Sequence, residues 1–345
     1  MSKKDMSFDT KLIHAGEPDP RIEGAVSVPI FQSSTFEYAG QTDYDSLRYI
    51  RLNNTPNHIA LHKKLAALEG AEAALVTSSG MSAITTALLT YLQSGDHLLA
   101  QSTLYGGTAD YLKHDLPQYG IEVDFFDAMI PDDWESKVKS NTKVVYVETI
   151  TNPLMSVPEL GAIIELGKKH KLISMIDNTF ASPALYCPIM QGFDISLHSA
   201  TKYLNGHTDI VAGVVIGSEN NISKVRSKLN HLGGSLDPNA CFLLHRGIKT
   251  LSLRMNRQCQ NAMAIARFLE SHPKVKQVNY PGLESSPSHN RAKEYLCGFS
   301  AMISFELTGD VSAADAFIGR LEYPICTASL GGVESLVTRP VQTSH

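Results

Sequence analysis

The chain has 345 residues, 43% of them hydrophobic and 19% charged, which provides enough apolar side chains for a sizeable core and suggests two domains or one large domain with an appendage. Its formal net charge of −5, with scattered basic residues, gives no electrostatic basis for binding nucleic acid. No apolar run approaches the roughly 18 residues of a membrane span, and residues 1–20 lack the apolar segment of a secretory signal. The five cysteines are widely spaced and form no CxxC pair, so we expect a cytoplasmic protein without a disulfide framework.

The N-terminal part of the sequence changes character after residue 56. Residues 1–56 are rich in Pro, Ser, Thr and Asn, and we predict an irregular arm that lies on another surface, since it cannot bury a core alone. Apolar residues then recur at helical spacing over 58–70 and stop at Gly70, a typical helix end. A short apolar strand is predicted at 73–79, followed by a helix over 80–92.

Short apolar or β-branched runs predict further buried strands at 96–101, 143–150, 172–178 and 211–217. A helix is predicted over 158–170, with Pro158 as its first residue. Strands that alternate with helices indicate an α/β fold, a mainly parallel sheet covered by helices on both faces.

A linker-like composition near 231–240 leads into a long helical stretch over 241–271, with strands predicted at 274–282 and 301–307. These features predict three parts: an N-terminal arm over 1–56, a large domain over 57–235 and a smaller C-terminal α/β domain over 236–345.

Polar residues follow several predicted strands, where ligands bind in open α/β sheets. The SSGM turn at 78–81 offers backbone N–H groups and a positive helix end to an anion, although such turns often only cap a helix. Taken singly, Asp177 is explained equally well as a helix N-cap, and Lys202 as an ordinary solvated lysine on the surface. Taken together with Ser199 and Thr201, they are the parts of a pyridoxal phosphate site: an amine, a carboxylate for the pyridine nitrogen, and hydroxyls for the phosphate.

The segment IDNTFASPAL…GFDISLHSATKYLNGHTDIVAGVVIG resembles the signature of the Cys/Met-metabolism pyridoxal-phosphate enzymes, the family of cystathionine γ-lyase, cystathionine γ-synthase and methionine γ-lyase. Further motifs follow in the family's order over nearly the whole chain: VPIFQSSTF, LEGAEAALVTSSGMSAI, LYGGT, VYVETITNP, LHRGIKTLSLRM and SLGGVESL. The resemblance implies a fold-type I transferase that binds pyridoxal 5′-phosphate, with a large mainly parallel-sheet domain and a smaller C-terminal α/β domain.

The resemblance also implies roles for residues at matching positions. Lys202 is implied to be the Schiff-base lysine and proton shuttle, Asp177 to pair with the pyridinium nitrogen, and Tyr105 to stack on the ring and take part in proton transfer. The residues implied to hold the phosphate are Gly80 and Met81, through backbone N–H groups, and Ser199 and Thr201, through hydroxyls.

Four further residues are implied to act near the substrate or across a subunit boundary. Asn152 is implied to lie beside the ring hydroxyl and the substrate carboxylate, and Ser329 to position the lysine and the substrate. Tyr49 and Arg51 resemble the pair that reaches the phosphate of a neighbouring subunit, Tyr49 also being a substrate contact. The family is usually tetrameric, so we expect a homo-oligomer built from active dimers.

The sequence departs from the family pattern at positions that bear on the substrate. Arg48 precedes Tyr49 and Ala328 precedes Ser329, where cystathionine-using relatives often carry acids that recognise the distal amino group. Gly107 stands where methionine γ-lyases typically have Cys. The family also continues past TSH with an Arg that grips the substrate carboxylate, so we expect a tail after 345 and an incomplete C-terminal domain.

We therefore expect a carbon–sulfur lyase that uses this cofactor for γ-elimination on cystathionine or a related sulfur amino acid. Alternatives are γ-replacement on an O-acylhomoserine, β-elimination from cystathionine and another reaction of the cofactor such as transamination. A catalytically silent cofactor-binding subunit is the alternative outside enzymes. No GxGxxG is present, which argues against a nicotinamide dehydrogenase, and the His and Cys residues show no metal-site spacing.

Overall fold

The computed structural model describes residues 6–40 and 42–343. The chain forms two compact units, one from Met1–Tyr91 and Cys187–Ser252 and the other from Leu92–Tyr186 and Leu253–His345. The α-helices are α1 (Phe8–His14), α2 (Pro56–Glu69), α3 (Gly80–Tyr91), α4 (Gly106–Asp110), α5 (Leu160–His170), α6 (Ser182–Leu185), α7 (Pro188–Gln191), α8 (Glu219–Leu232), α9 (Pro238–Ile248), α10 (Leu251–Glu270), α11 (His289–Tyr295), α12 (Val311–Ile318) and α13 (Pro340–Thr343). The strands are β1 (Ala73–Thr77), β2 (His97–Gln101), β3 (Glu122–Phe126), β4 (Thr142–Glu148), β5 (Ile173–Asp177), β6 (Ile195–Ser199), β7 (Gly213–Gly217), β8 (Val275–Asn279), β9 (Ser304–Leu307), β10 (Ile325–Cys326) and β11 (Leu336–Val337).

The first unit contains three strands in the order β1-β7-β6, and both pairings are antiparallel. β1 and β7 are buried along their whole length, and helices α2, α3 and α8 pack against them. Gly70 ends α2 in the left-handed conformation with φ 65°, as its position after the apolar pattern predicted.

In the second unit, four strands lie in the order β5-β4-β2-β3, and all of these pairings are parallel. Helix α5 packs on β4 and β5, whose residues are mostly buried. These four parallel strands, with α5 packed on them, confirm the predicted α/β fold with a mainly parallel sheet. The later part of this unit carries the antiparallel pair β8–β9 and the short parallel pair β10–β11.

The predicted arm is not wholly irregular, because it contains α1. Ser7 caps this helix by accepting the N–H of Thr10, and Nζ of Lys64 donates to the carbonyls of Leu12 and Ile13 at 2.9 and 3.1 Å. A helix of seven residues is too short to be stable alone or to leave a clear pattern, so these tertiary contacts decide its formation.

Other element boundaries also differ from the prediction. The stretch 241–271 is two helices, α9 and α10, rather than one, and α5 begins at Leu160 rather than at Pro158. Strands β3 and β6 were not predicted at all. The division into 1–56, 57–235 and 236–345 stays a prediction. The two compact units group residues by their spatial contacts and do not test these domain boundaries. Among the described residues, no helix combines the length and apolar character needed to cross a membrane.

Candidate active site

The turn between β1 and α3 has the geometry of an anion site. Oγ of Ser79 accepts the N–H of Ser82 at 3.0 Å, and the first N–H groups of a helix have no acceptor within the helix. A Cβ atom on Gly80 would lie 2.8 Å from Cβ of Ser199, so only glycine lets α3 begin this close to the end of β6. The structure thus brings together Gly80 and Ser199, with Met81 next in the helix, at a positive helix end.

Gly213 is a second glycine that holds this turn in place, and sequence reasoning missed it. It is the first residue of β7 and pairs with Thr77 on one side and Ser199 on the other. A Cβ atom here would lie 2.1 Å from the carbonyl oxygen of Ser79, which leaves no room for a side chain. The close approach to the turn requires glycine at this position.

Thr201 and Lys202 lie in the turn after β6. The hydroxyl of Thr201 lies 3.0 Å from the N–H and 3.2 Å from the carbonyl oxygen of Ala212, which ties the turn to the residue before β7. The N–H of Lys202 donates to the carbonyl of Ser199 at 3.1 Å. The Lys202 side chain is half-buried, and burial lowers the pKa of its amine. An amine with a lowered pKa gives up its proton more readily, as a nucleophile or base must.

In the second unit, Asp177 is the last residue of β5. Its Oδ1 accepts both the N–H and the hydroxyl of Thr179, at 2.9 and 2.5 Å. Together these bonds form an Asx turn, which fixes the direction of the carboxylate. The helix-cap interpretation of Asp177 is wrong, because the residue that precedes α6 is Ala181 and it makes no side-chain cap.

Glu148, the last residue of β4, was not selected from the sequence although it belongs to the ETITNP segment. It is 5% exposed, and its register partner on β5 is Asp177. Its Oε1 accepts the N–H of Tyr105 at 2.6 Å, and its Oε2 accepts the N–H of Asn152 at 3.3 Å. Burial raises the pKa of Glu148, the charge of Asp177 raises it further, and the two N–H donors oppose this. Glu148 thereby links three of the predicted site residues.

Two other predicted residues of this unit have distinctive surroundings. Tyr105 keeps 42% of its surface exposed, and its ring lies over Gly107, where a Cβ atom would come within 2.7 Å of Cε1. Ser329 adopts φ 127°, a conformation that favours glycine and is strained for serine.

The predicted pair from the arm lies in the first unit. Nη1 of Arg51 donates to the carbonyl of Asn230 at 2.8 Å, and Nη2 contacts the hydroxyl of Tyr44. The guanidinium also lies over the rings of Tyr44 and Tyr49, 5.8 and 5.6 Å from their centroids. The expected reach towards a neighbouring subunit stays a prediction.

These residues fit pyridoxal 5′-phosphate, which requires an anion site, an amine for its aldehyde and a carboxylate for its ring nitrogen. The start of α3 offers an anion site, Lys202 an amine and Asp177 a carboxylate, while their roles towards the cofactor stay a prediction. The shared fold and the family match define a pyridoxal-phosphate enzyme of fold type I. A family model described as "Cys/Met metabolism PLP-dependent enzyme" matches residues 9–345, and the chain belongs to that family.

Known relatives carry several activities. The chain is 39% identical to L-methionine gamma-lyase of Porphyromonas gingivalis, covering 100% of this chain and 90% of the relative. It is 42% identical to cystathionine beta-lyase of Lactococcus lactis subsp. cremoris, covering 98% and 89%. The crystal structure of cystathionine gamma-lyase from Lactobacillus plantarum complexed with L-serine matches with a TM-score of 0.93 and 37% identity, covering 99% and 88%. The chain is thus a pyridoxal-phosphate-dependent enzyme of sulfur amino-acid metabolism, while similar identities to differently named enzymes leave its substrate open.

Proposed function

We propose that this enzyme is a carbon–sulfur lyase that cleaves cystathionine, or a closely related sulfur amino acid, by γ-elimination. The observation that carries the proposal is the half-buried amine of Lys202, whose pKa burial lowers. γ-Elimination needs a base that takes protons from two neighbouring carbons in turn, and an amine whose pKa is lowered by burial suits this task.

The roles follow from the chemistry of each group. Bound pyridoxal phosphate supplies the electron-withdrawing ring that makes the Cα proton of the substrate acidic. Nζ of Lys202 takes the Cα proton and then a Cβ proton, and the phenol of Tyr105 or Lys202 itself protonates the departing sulfur. The carboxylate of Asp177 keeps the ring nitrogen protonated by charge attraction. The balanced reaction converts L-cystathionine and water into L-cysteine, 2-oxobutanoate and ammonia.

Binding is assigned to residues around these groups. Gly80 and Met81 donate backbone N–H groups to the phosphate, and Ser199 and Thr201 contribute hydroxyls. The close approach of Gly80 to Ser199 supports this assignment. Asn152 and Ser329 orient the substrate, Asn152 from a main chain anchored on Glu148 and Ser329 from a strained backbone.

The proposal includes a homotetramer built from active dimers and a cytoplasmic location. Tyr49 and Arg51 are assigned to the phosphate site of a second copy, with Tyr49 also facing the substrate. Mixing an Arg51→Ala variant with a Lys202→Ala variant tests this, because a hybrid dimer then holds one site with neither substitution. Activity that rises on mixing supports the shared site, and two inactive variants that stay inactive after proven subunit exchange contradict it.

Incubating the cofactor-loaded enzyme with L-cystathionine and identifying the keto acid by mass spectrometry tests the reaction. We expect 2-oxobutanoate; pyruvate instead establishes β-elimination. Absence of both, together with cystathionine formation from an O-acylhomoserine and cysteine, establishes γ-replacement. Lys202→Ala should abolish turnover, while the exposed Lys168→Ala should retain it as the matched control. Turnover in Lys202→Ala contradicts the assignment.

A further inference from the structure

Glu148 is a buried carboxyl at the end of β4, directly after the apolar residues 144–147. Burying such a group without partners is unfavourable, and an apolar residue would continue the pattern of β4 at lower cost. Both of its oxygens have backbone N–H partners, from Tyr105 on one side and Asn152 on the other. A buried carboxyl with two such partners indicates that this position requires a group that accepts both N–H donors.

The two bonds join segments that are distant in sequence. Tyr105 follows β2 and lies 43 residues before Glu148, whereas Asn152 lies in the loop after β4. Glu148 is itself fixed, because its own N–H donates to Oε1 of Gln101 at 3.2 Å, at the end of β2. The carboxyl therefore spans the ends of two neighbouring parallel strands and holds the main chain that leaves each of them.

Glutamine and aspartate each reproduce only part of this arrangement. Both groups that it meets are donors, so both of its ends must accept. A glutamine accepts with its oxygen only, and its NH₂ group would face the second N–H donor. An aspartate keeps two acceptors but is one methylene shorter, so it cannot reach both N–H groups from the same backbone.

The position of the main chain matters most at Tyr105. The ring lies over Gly107 and remains partly exposed, so the backbone of the Tyr105–Gly107 turn sets where the phenol is presented. The same carboxyl accepts the N–H of Asn152 itself and so fixes the main chain that presents the Asn152 side chain. A single side chain thus controls two groups that handle the substrate under the proposed function.

We propose that Glu148 is a positioning residue of the active site, which aligns Tyr105 and Asn152 with each other by accepting one backbone N–H from each. The proposal rests on the function proposed above for those two residues. The two hydrogen bonds that Glu148 accepts, however, exist without cofactor or substrate.

The first test measures amide hydrogen exchange by mass spectrometry in the cofactor-free protein, comparing wild type with Glu148→Gln and Glu148→Asp. We expect exchange to speed up by about tenfold or more in the peptides that contain Tyr105 or Asn152, since an N–H loses its acceptor. Peptides from α2 and α8 should keep their wild-type exchange. This readout is independent of any reaction, so it stands even if no keto acid is formed.

The second test uses the loaded enzyme. We expect Glu148→Gln to lower kcat/KM by about tenfold to a hundredfold while the visible absorption of the bound cofactor stays at its wild-type level. Glu148→Asp should recover part of the loss, and Glu165→Gln on the exposed face of α5 should have no effect. If the wild type forms no keto acid, exchange of the substrate Cα proton with D₂O replaces turnover as the measured rate.

Unchanged amide exchange at both peptides would overturn the proposal. So would a loss of activity that only parallels loss of the cofactor absorption, because that indicates general damage to the fold. If Glu148→Gln does not fold, Glu148→Asp decides between these outcomes by the same two measurements.

Discussion

Gly80 and Ser199 lie so close together that a Cβ atom on Gly80 would come within 2.8 Å of Cβ of Ser199. They are 119 residues apart in sequence, yet together they form the start of α3 and the end of β6. The contact is possible only because residue 80 has no side chain.

We expect Gly80→Ala to weaken cofactor binding. The added methyl forces α3 and β6 apart, and overpacking of this kind costs about 1–3 kcal/mol, or about 5- to 150-fold in the dissociation constant. Fluorescence titration with pyridoxal phosphate measures this constant, in a Lys202→Ala background that removes covalent attachment. Gly161→Ala in α5 is the control, because its Cβ atom would meet only Tyr295 at 3.4 Å. Equal affinity of the Gly80→Ala and Gly161→Ala variants would contradict this account.

Gly107→Ala should reduce turnover by displacing the Tyr105 ring. The new Cβ atom would lie 2.7 Å from Cε1 of that ring, so the ring must move. A displacement of about 1 Å in a reacting group can lower the rate about a hundredfold, and we expect kcat to fall by about tenfold to a hundredfold. Steady-state kinetics should show a smaller change in KM. A wild-type kcat in this variant would show that the ring position is not important.

Ser288→Ala should destabilise the second unit. Oγ of Ser288 accepts the N–H of Val157 at 3.0 Å, in a region where Val157 is fully buried. Without this acceptor, the free energy of unfolding should fall by about 1–3 kcal/mol. Urea denaturation of the cofactor-free protein measures the change, with the exposed Ser285→Ala as a control expected within about 0.5 kcal/mol of wild type. Similar values for both variants would rule out a role for this bond.

The stability of the first unit should depend on pH through Lys64. Burial lowers the pKa of Lys64 to about 8, against the partly compensating charge of Glu17, while Lys249 lowers it further. Between about pH 8 and 10.5 the unfolded chain therefore binds more protons at this position than the folded one, so this residue makes the free energy of unfolding rise with pH.

Lys64→Met should remove this contribution. Urea denaturation across that pH range should show a slope lower than wild type by up to about 1.4 kcal/mol per pH unit. The variant is also expected to be less stable at all pH values, because α1 loses the donor to Leu12 and Ile13. Identical slopes would mean that Lys64 has its ordinary pKa in the folded protein.

Local patterns determined much of the fold. The apolar spacing before Gly70 predicted α2, and the strand–glycine–helix sequence at 73–92 predicted β1 and α3 with nearly correct bounds. These elements are long or strongly apolar, so their own sequence dominates their conformation. By contrast, β3 and β6 carry polar residues at several positions and are held in place by neighbouring strands, which sequence periodicity does not reveal.

The sequence by itself determined the cofactor and predicted the residues that bear its chemistry, because Lys202, Asp177 and the SSGM turn stand in a specific order of motifs. Only the tertiary structure decided how such residues are held. Glu148 reads in sequence as an ordinary charged residue at a strand end, and its significance depends on N–H groups from loops that meet it after folding. Hydrogen bonds between distant segments produce no periodic pattern in a single sequence. Neither partner's place in the sequence indicates which residue it meets after folding. The same holds for the contact of Gly80 with Ser199. The need for glycine at position 80 becomes visible only when β6, more than a hundred residues away in sequence, packs against it.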